Sequence, residues 1–339
     1  MVHFITLKYM AEETAQAVIR HMDHSVCVDF SDSPVRKRLG TLHHTFGLLS
    51  LPMLLIKNEY RLRTSLSVLA SAMFAKKRGR AWYPYFEIVL TTRCSLRCKY
   101  CSNLMQYYER PCDVPLERVL ETIDRMMPLC DYVHRLRPIG GEPFLYRGLA
   151  DVLEHMLQYE NIGQIQIPTN GTVPVKDERL LKLLKNERVS LDISDYGYGN
   201  AREFARAMEQ NGIGFSYYKA KPWVDIGSME TRGRSPDALR KQFKKCPMFC
   251  KSILDGKIHA CPRSSHGVDL GLVPEVKGDY LDLLDDEHPV TRKQLLDFYY
   301  RTEPVQACDY CDYGTGKLKP VPAGAEQLQQ PICGGRKIL

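Results

Sequence analysis

No stretch of this sequence is long and apolar enough to suggest a membrane span. The most apolar run, Thr45 to Ile56, is twelve residues and contains Pro52, whereas a spanning helix needs roughly twenty. No short apolar segment with a small-residue cleavage site opens the chain, which sets the expectation of a cytoplasmic protein. Internal repeats are missing too. Strong charge of one sign is also lacking. Lys and Arg number 47 against 40 Asp and Glu, a net +7 spread along the chain, and an excess so diffuse argues against a nucleic-acid partner. At 339 residues with 44% apolar and 26% charged side chains, the composition excludes collagen, low-complexity disorder and a disulfide-stapled miniprotein. What is abundant is cysteine, 12 in all. In the absence of a secretory signal, clustered thiols point to metal or redox chemistry, hence to iron or zinc, rather than to disulfides.

Residues 1–80 read as a mostly helical extension of unassigned role, from Ala11–Met22 and from apolar spacing in Leu62–Phe74. The basic cluster Lys76 to Arg80 reads as a solvated boundary, and His43 and His44 as surface residues. From Tyr85 onward strand-like and helix-like blocks alternate. Phe86–Leu90, Tyr132–Ile139, Ile162–Ile167, Val189–Ile193 and Gly214–Tyr218 are expected strands; Leu116–Met127, Leu145–Tyr159, Glu178–Asn186 and Arg202–Gln210 are expected helices. Repeated strand-then-helix units imply an α/β fold with a parallel sheet or barrel, whose functional loops follow the C-terminal ends of the strands. Beyond about residue 240 Gly, Pro and Cys become frequent, as expected of a small domain organised around a metal. The expected division is 1–80, 81–235 and 236–339.

Phe86–Leu90 runs into Cys94, Cys98 and Cys101, three thiols within eight residues. An iron–sulfur cube normally takes four thiolates, so three leave one iron open to another molecule. Three thiols and a remote fourth around zinc are the alternative that spacing alone permits. The segment Cys94-Ser-Leu-Arg-Cys98-Lys-Tyr100-Cys101 resembles the cluster loop of the radical S-adenosylmethionine (SAM) enzymes. Gly140-Gly141-Glu142-Pro143 resembles the superfamily's methionine-binding turn, and Thr169-Asn170-Gly171 and Ser194-Asp195 stand at familiar strand ends; Ser190 to Asp192 is an alternative alignment for the last. The resemblance spans roughly residues 85–220. It implies a partial (β/α)6 TIM-like barrel and a 4Fe–4S cluster on Cys94, Cys98 and Cys101. It also implies reductive cleavage of SAM, bound at the open iron, to a 5′-deoxyadenosyl radical. Tyr100 would then lie near the adenine, Gly140 and Gly141 would let backbone approach the ligand, and Glu142 would set the turn. Asn170 and Ser194 would bond ribose hydroxyls or the methionine carboxylate, although a turn explains Asn-Gly equally well.

Cys246, nine residues, Gly256, four residues and Cys261, followed by Cys308-Asp-Tyr-Cys311, resembles the SPASM/Twitch extensions of radical SAM enzymes. Asp255-Gly256 suits the tip of a hairpin. The resemblance implies one auxiliary 4Fe–4S cluster on Cys246, Cys261, Cys308 and Cys311, with structural zinc as the alternative occupant and Cys250 or Cys333 as alternative ligands. Cys27, Cys112 and Cys130 read as small buried apolar residues, Cys112 alternatively as a hydrogen-atom donor. An auxiliary cluster able to accept an electron favours oxidation or rearrangement of a small polar, sugar-like metabolite; the Twitch group includes an inosamine dehydrogenase. Trp223, Asp225, Arg232 and Arg234 are candidate substrate contacts, and a flavodoxin or ferredoxin is the expected electron donor. Peptide modification is a second reading, and a non-catalytic iron–sulfur electron-transfer protein is a third.

Overall fold

The computed structural model describes residues 80–219, 222–246, 248, 250–316, 318–321 and 326–332. The expected N-terminal helices, Cys27 and Cys333 lie outside these. Strands and helices alternate from the start: β1 (Trp82–Thr91), α1 (Leu116–Met126), β2 (Tyr132–Gly140), α2 (Leu149–Leu157), β3 (Ile162–Thr169), α3 (Glu178–Leu184), β4 (Val189–Asp195), α4 (Ala201–Gln210) and β5 (Phe215–Lys219). Then come β6 (Trp223–Asp225), α5 (Pro236–Lys245), β7 (Lys251–Leu254), β8 (Lys257–His259), α6 (Pro262–Asp269), β9 (Tyr280–Asp282), α7 (Arg292–Tyr299) and β10 (Lys319–Val321). The helix expected over Leu145–Tyr159 is shorter. Pro143–Leu145 is a 3-10 turn, and α2 begins only after Gly148 at its N-cap.

The main sheet has eight strands in the order β5-β4-β3-β2-β1-β7-β8-β9. The six neighbours from β5 to β7 run parallel, so the fold is α/β with a mostly parallel sheet. Among the described residues the sheet stays open rather than closing into a barrel. The sixth parallel strand is not the one that follows β5. Trp223–Asp225 instead pairs antiparallel with β10 in a separate ribbon, and β7 lines up beside β1 on the other side, Glu87 opposite Ser252. Segments on either side of residue 235 therefore share one sheet.

Side chains alternate faces along a strand, and the registers align the alternation across the sheet. Leu136 stands opposite Phe86 and Ile165; Ile167 opposite Leu191; Ile193 opposite Tyr217. This face packs on Val119 and Ile123 of α1, Leu153 and Met156 of α2, Leu184 of α3 and Met208 of α4, in one core. The opposite face is polar yet buried. Glu87 pairs in register with Arg137, Arg135 with Gln164, Gln166 with Ser190, and Asp192 with Ser216; Glu87, Arg137, Gln166 and Asp192 are all at most 7% exposed.

The β7–β8 hairpin turns at Asp255 and Gly256, with φ of 49° and 84°, the pair of left-handed residues that a two-residue type I′ turn requires. A Cβ on Gly256 would meet Leu284 Cδ1 at 2.6 Å. Gly256→Ala should therefore lower stability by roughly 1–3 kcal/mol, read as a lower urea midpoint with an unchanged slope.

Candidate active site

The cysteine loop leaves β1 at its C-terminal end, and the Gly140-Gly141-Glu142 turn leaves β2 beside it. Backbone lies directly on backbone here: Gly141 N–H donates to Thr91 O and Glu142 N–H to Arg93 O, both at 2.9 Å. A Cβ on Gly140 would stand 2.1 Å from Thr91 O, and one on Gly141 would stand 2.2 Å from Arg93 O and 2.7 Å from Cys94 Cβ. The chain's own close approach thus requires both glycines, and both also line the cavity described below. Further latches fix the loop. Arg93 grips Asp113 with two bonds of 2.9 and 2.7 Å. Thr92 and Cys112 exchange bonds, the Thr92 N–H to Cys112 O and the Cys112 N–H to Thr92 Oγ1, each 2.8 Å.

Glu142 is wholly buried and turned toward β3. Its carboxylate accepts Thr169 Oγ1–H at 2.8 Å, Asn170 N–H at 2.9 Å and Phe144 N–H at 3.3 Å. Burial pushes its pKa up to about 7, against the lowering effect of those three bonds. Asn170 does two things. Its Oδ1 accepts from the Thr172 N–H and hydroxyl at 2.9 and 2.7 Å, forming the turn. Its Nδ2 donates to Ser95 Oγ at 2.9 Å and reaches Cys94 Sγ at 3.8 Å. At the end of β4, Ser194 donates to Tyr218 OH at 2.8 Å.

Cys94, Cys98, Cys101, Gly140, Gly141, Asn170 and Ser194 all line one cavity of about 300 Å³. Glu87 and Arg137 of the polar sheet face lie in its wall, with Tyr196, Tyr218, Trp223, Met248, Cys250 and Pro262. Arg137 bonds Asp192 at 2.9 Å, stands 3.5 Å from Glu87 and donates to Tyr85 OH, which in turn donates to Glu87 at 2.6 Å. Ser194 is the strand-end group that reaches the cavity. Asp195 instead accepts from Tyr217 OH and Gly197 N–H, and Asp192 is the partner of Arg137. Tyr100 lines a smaller neighbouring cavity of about 190 Å³, with Lys99, Asp225 and Arg263.

The second thiol set lies around α5, the β8–α6 junction and the Cys308–Cys311 turn. Cys261 lies close enough to Cys308, Cys311 and Cys246, and Cys308 to Cys246 and Cys311, for their ionisations to oppose one another. Burial chiefly pushes Cys261 up to about 12 and Cys308 to about 11, and raises Cys246 and Cys311 too. Gln242 Nε2 holds Cys308 O and Cys311 O at 3.1 and 2.8 Å; Arg234 bonds Cys311 O at 2.9 Å; Arg263 bonds Tyr310 O at 2.8 Å. Arg232 and Arg234 are both ion-paired with Asp312. Expected as substrate contacts, they support this turn instead, whereas Trp223 does reach the cavity. Cys250 faces the cavity and bonds Met248 Sδ at 3.2 Å. Cys130 is buried in the apolar core with its thiol on Met126 O. Cys112 holds Thr92 through its backbone.

In the first set, burial raises the pKa of all three thiols, Cys101 to about 11. Donors nonetheless point at the sulfurs: Leu96 N–H at 3.4 Å from Cys94 Sγ, and Gln327 Nε2 at 3.1 Å from Cys98 Sγ. Among the described residues no three His, Cys, Asp or Glu side chains gather closely enough to hold a single metal ion. Three thiols on one loop, provided with N–H donors and opening on a cavity, fit a polynuclear cluster with one iron left over.

The family model described as the Radical SAM superfamily matches residues 88–210. A GTP 3′,8-cyclase of Limosilactobacillus fermentum is 27% identical over 137 residues, 39% of this chain and 40% of that protein. One of Ectopseudomonas mendocina is 33% identical over 160 residues, 46% and 48% respectively. The chain thus spans under half the length of these curated relatives. Among solved structures, BtrN in complex with AdoMet and 2-DOIA covers 74% of this chain and 97% of its own, at 14% identity and TM-score 0.48. Native anSMEcpe with bound AdoMet covers 62% and 81%, at 12% identity and TM-score 0.43. No helix among the described residues is long and apolar enough to cross a membrane.

Glu142 generates a pH test. Below about pH 4.5 it is protonated in both folded and unfolded chains. Between there and about 7 only the folded chain keeps the proton, so rising pH removes stability on the order of 3 kcal/mol. Buried His259 and His266, pushed down to about 4 and about 3, act in the opposite sense below about 6.5. The difference between wild type and Glu142→Gln isolates the carboxyl: wild type should lose more stability from pH 5 to 7.5 in urea titrations.

Proposed function

We propose that this chain, whose residues 88–210 match the model of the Radical SAM superfamily, cleaves SAM reductively and abstracts hydrogen from a small polar substrate. Cys94, Cys98 and Cys101 hold the 4Fe–4S cluster in this reading, and SAM takes the open iron. When bound, the cluster supplies the electron that breaks a carbon–sulfur bond of SAM and frees the 5′-deoxyadenosyl radical. The single observation that carries the reading is the cavity, which joins those three thiols to the Gly140–Gly141 turn, Asn170, Ser194 and a buried polar sheet face.

The chain's own residues bind and orient. Backbone of the Gly140–Glu142 turn and the side chains of Asn170 and Ser194 are the contacts proposed for the methionine and ribose parts. Tyr100 is proposed for the adenine, from the smaller cavity next to Cys101. Glu87 and Arg137 present charge and hydrogen bonds below, while Tyr196, Tyr218 and Trp223 exclude water and offer ring faces to a sugar-like substrate. Residues 81–235 form the radical SAM core and 236–339 the auxiliary unit. In that unit Cys246, Cys261, Cys308 and Cys311 hold a second 4Fe–4S cluster able to take an electron from the substrate radical, which favours oxidation. A flavodoxin or ferredoxin supplies the first electron. Cyclisation of a purine nucleotide is the second reading, favoured by the names of the curated relatives.

Anaerobically reconstituted, reduced protein should form 5′-deoxyadenosine from SAM. Replacing Cys94, Cys98 and Cys101 together with Ala should abolish it while about half of roughly eight irons per chain remain. No 5′-deoxyadenosine from wild type with an intact cluster signal sinks the reading, and total loss of iron from the variant sinks the second centre. Deuterium passing into 5′-deoxyadenosine from a labelled cyclitol but not from labelled GTP separates oxidation from nucleotide cyclisation.

A further inference from the structure

One segment distant in sequence lies across the cysteine loop. Glu326 to Leu328 runs antiparallel to Arg97–Lys99, with Cys98 bridged to Gln327, and the segment ends with Ile332 bonded to Gln106. Lys99 N–H donates to Glu326 O at 3.0 Å, Leu328 N–H to Arg97 O at 2.9 Å, and Ile332 N–H to Gln106 O at 2.8 Å. Arg97 Nη1 reaches Gln329 O at 2.9 Å, and Lys99 pairs with Glu326 at 2.7 Å. Within this strap the Gln327 amide uses both ends. Its Oε1 accepts Arg97 N–H at 2.7 Å, and its Nε2 donates to Cys98 Sγ at 3.1 Å.

We propose that Gln327 is a positioning residue for Cys98, and that its N–H to the sulfur raises the reduction potential of the cluster held there. The proposal rests on the reading that Cys94, Cys98 and Cys101 hold a cluster. An N–H donor to a ligand sulfur favours the more negative, reduced state, so it makes the cluster easier to reduce. The amide's other end fixes which way the donor points, because Arg97 N–H occupies Oε1. A structural role for the strap would need only the backbone ladder and that Oε1 contact; the bond to Cys98 is additional.

Two substitutions in the full chain separate these roles. Gln327→Glu keeps an acceptor for Arg97 and loses the donor; Gln327→Leu loses both and adds no charge. Potentiometric titration followed by electron paramagnetic resonance should give a lower midpoint for both. At the wild-type midpoint the ratio of reduced to oxidised cluster should fall several-fold; tenfold would correspond to 59 mV for one electron. An unchanged midpoint in Gln327→Leu, with the cluster signal intact, overturns the proposal, and so does a drop confined to Gln327→Glu, which charge alone explains. Should a variant fail to hold iron, alkylation of Cys98 by iodoacetamide in apo protein decides. At pH 8 a rate about threefold below wild type, as expected when one lost hydrogen bond leaves less of the nucleophilic thiolate, supports the contact, and an equal or faster rate overturns it. If wild-type protein itself shows no cubane signal, the cluster assignment has failed, and the alkylation rates still test the contact.

Discussion

Two hydrogen bonds between the exits of β1 and β2 fix the geometry of the site. Gly141 and Glu142 donate to Thr91 O and Arg93 O, and this is possible only because neither glycine carries a Cβ, which would sit some 2 Å from a carbonyl oxygen. From that seat the constraint passes outward. Glu142 is left facing β3, where it collects two donors, with a third from Phe144 N–H in its own turn, and Asn170, positioned by that carboxylate, reaches back to Ser95 and Cys94. Three successive strand ends and the cysteine loop are thereby joined by short-range bonds that pass through the buried Glu142 and Asn170 side chains. Buried carboxyls are costly unless hydrogen-bonded, so the circuit has to be complete, and it is.

The buried polar face of the sheet poses a different question. Glu87, Arg137 and Asp192 are almost wholly enclosed, and an enclosed ion pair is poor support for a fold. Apolar residues of the same volume commonly stabilise as well or better. Packing therefore does not account for them. Glu87 and Arg137 do stand in the cavity wall, where, in the function proposed above, a polar molecule needs fixed partners for its hydroxyls and charges. The core's stability comes from the other face, where apolar side chains of the sheet meet α1 to α4 and α7.

Much of this was legible from residue order because period and spacing are local properties. The five strands and four helices of the first half follow from alternation of residue type. The hairpin at Asp255-Gly256 follows from the dihedral demands of its turn. The three thiols of Cys94 to Cys101 share a loop by adjacency alone. What was not legible depends on contacts between distant segments. No local pattern tells Arg232 and Arg234, held by Asp312, from arginines that meet a substrate. Nor does one announce that Gln327 reaches Cys98 across more than two hundred residues, or that β7 adds itself beside β1. Gly140 and Gly141 were legible as necessary, but the neighbour that requires them was not.

The docking of β7 on β1 matters through its register. Glu87 stands opposite Ser252 and Phe86 opposite Lys251, so Cys250 and Ser252 share the polar face, and Lys251 and Ile253 share the apolar one. Ile253 joins the core, and Lys251 rests its ammonium over the Tyr299 ring at 5.1 Å. A slip of one residue would exchange the two sets, driving a lysine and an isoleucine into the cavity and a thiol among the aliphatic side chains. Because the register is held from both faces, Cys250 and Pro262 remain in the wall of the cavity that the first cysteine loop also lines, and Pro262 directly follows Cys261. A molecule filling that cavity would therefore meet a wall that includes both the first thiol set and the residue next to Cys261. The chain achieves this by extending its own sheet, so the spacing between the two sets is fixed by strand pairing and not by a linker.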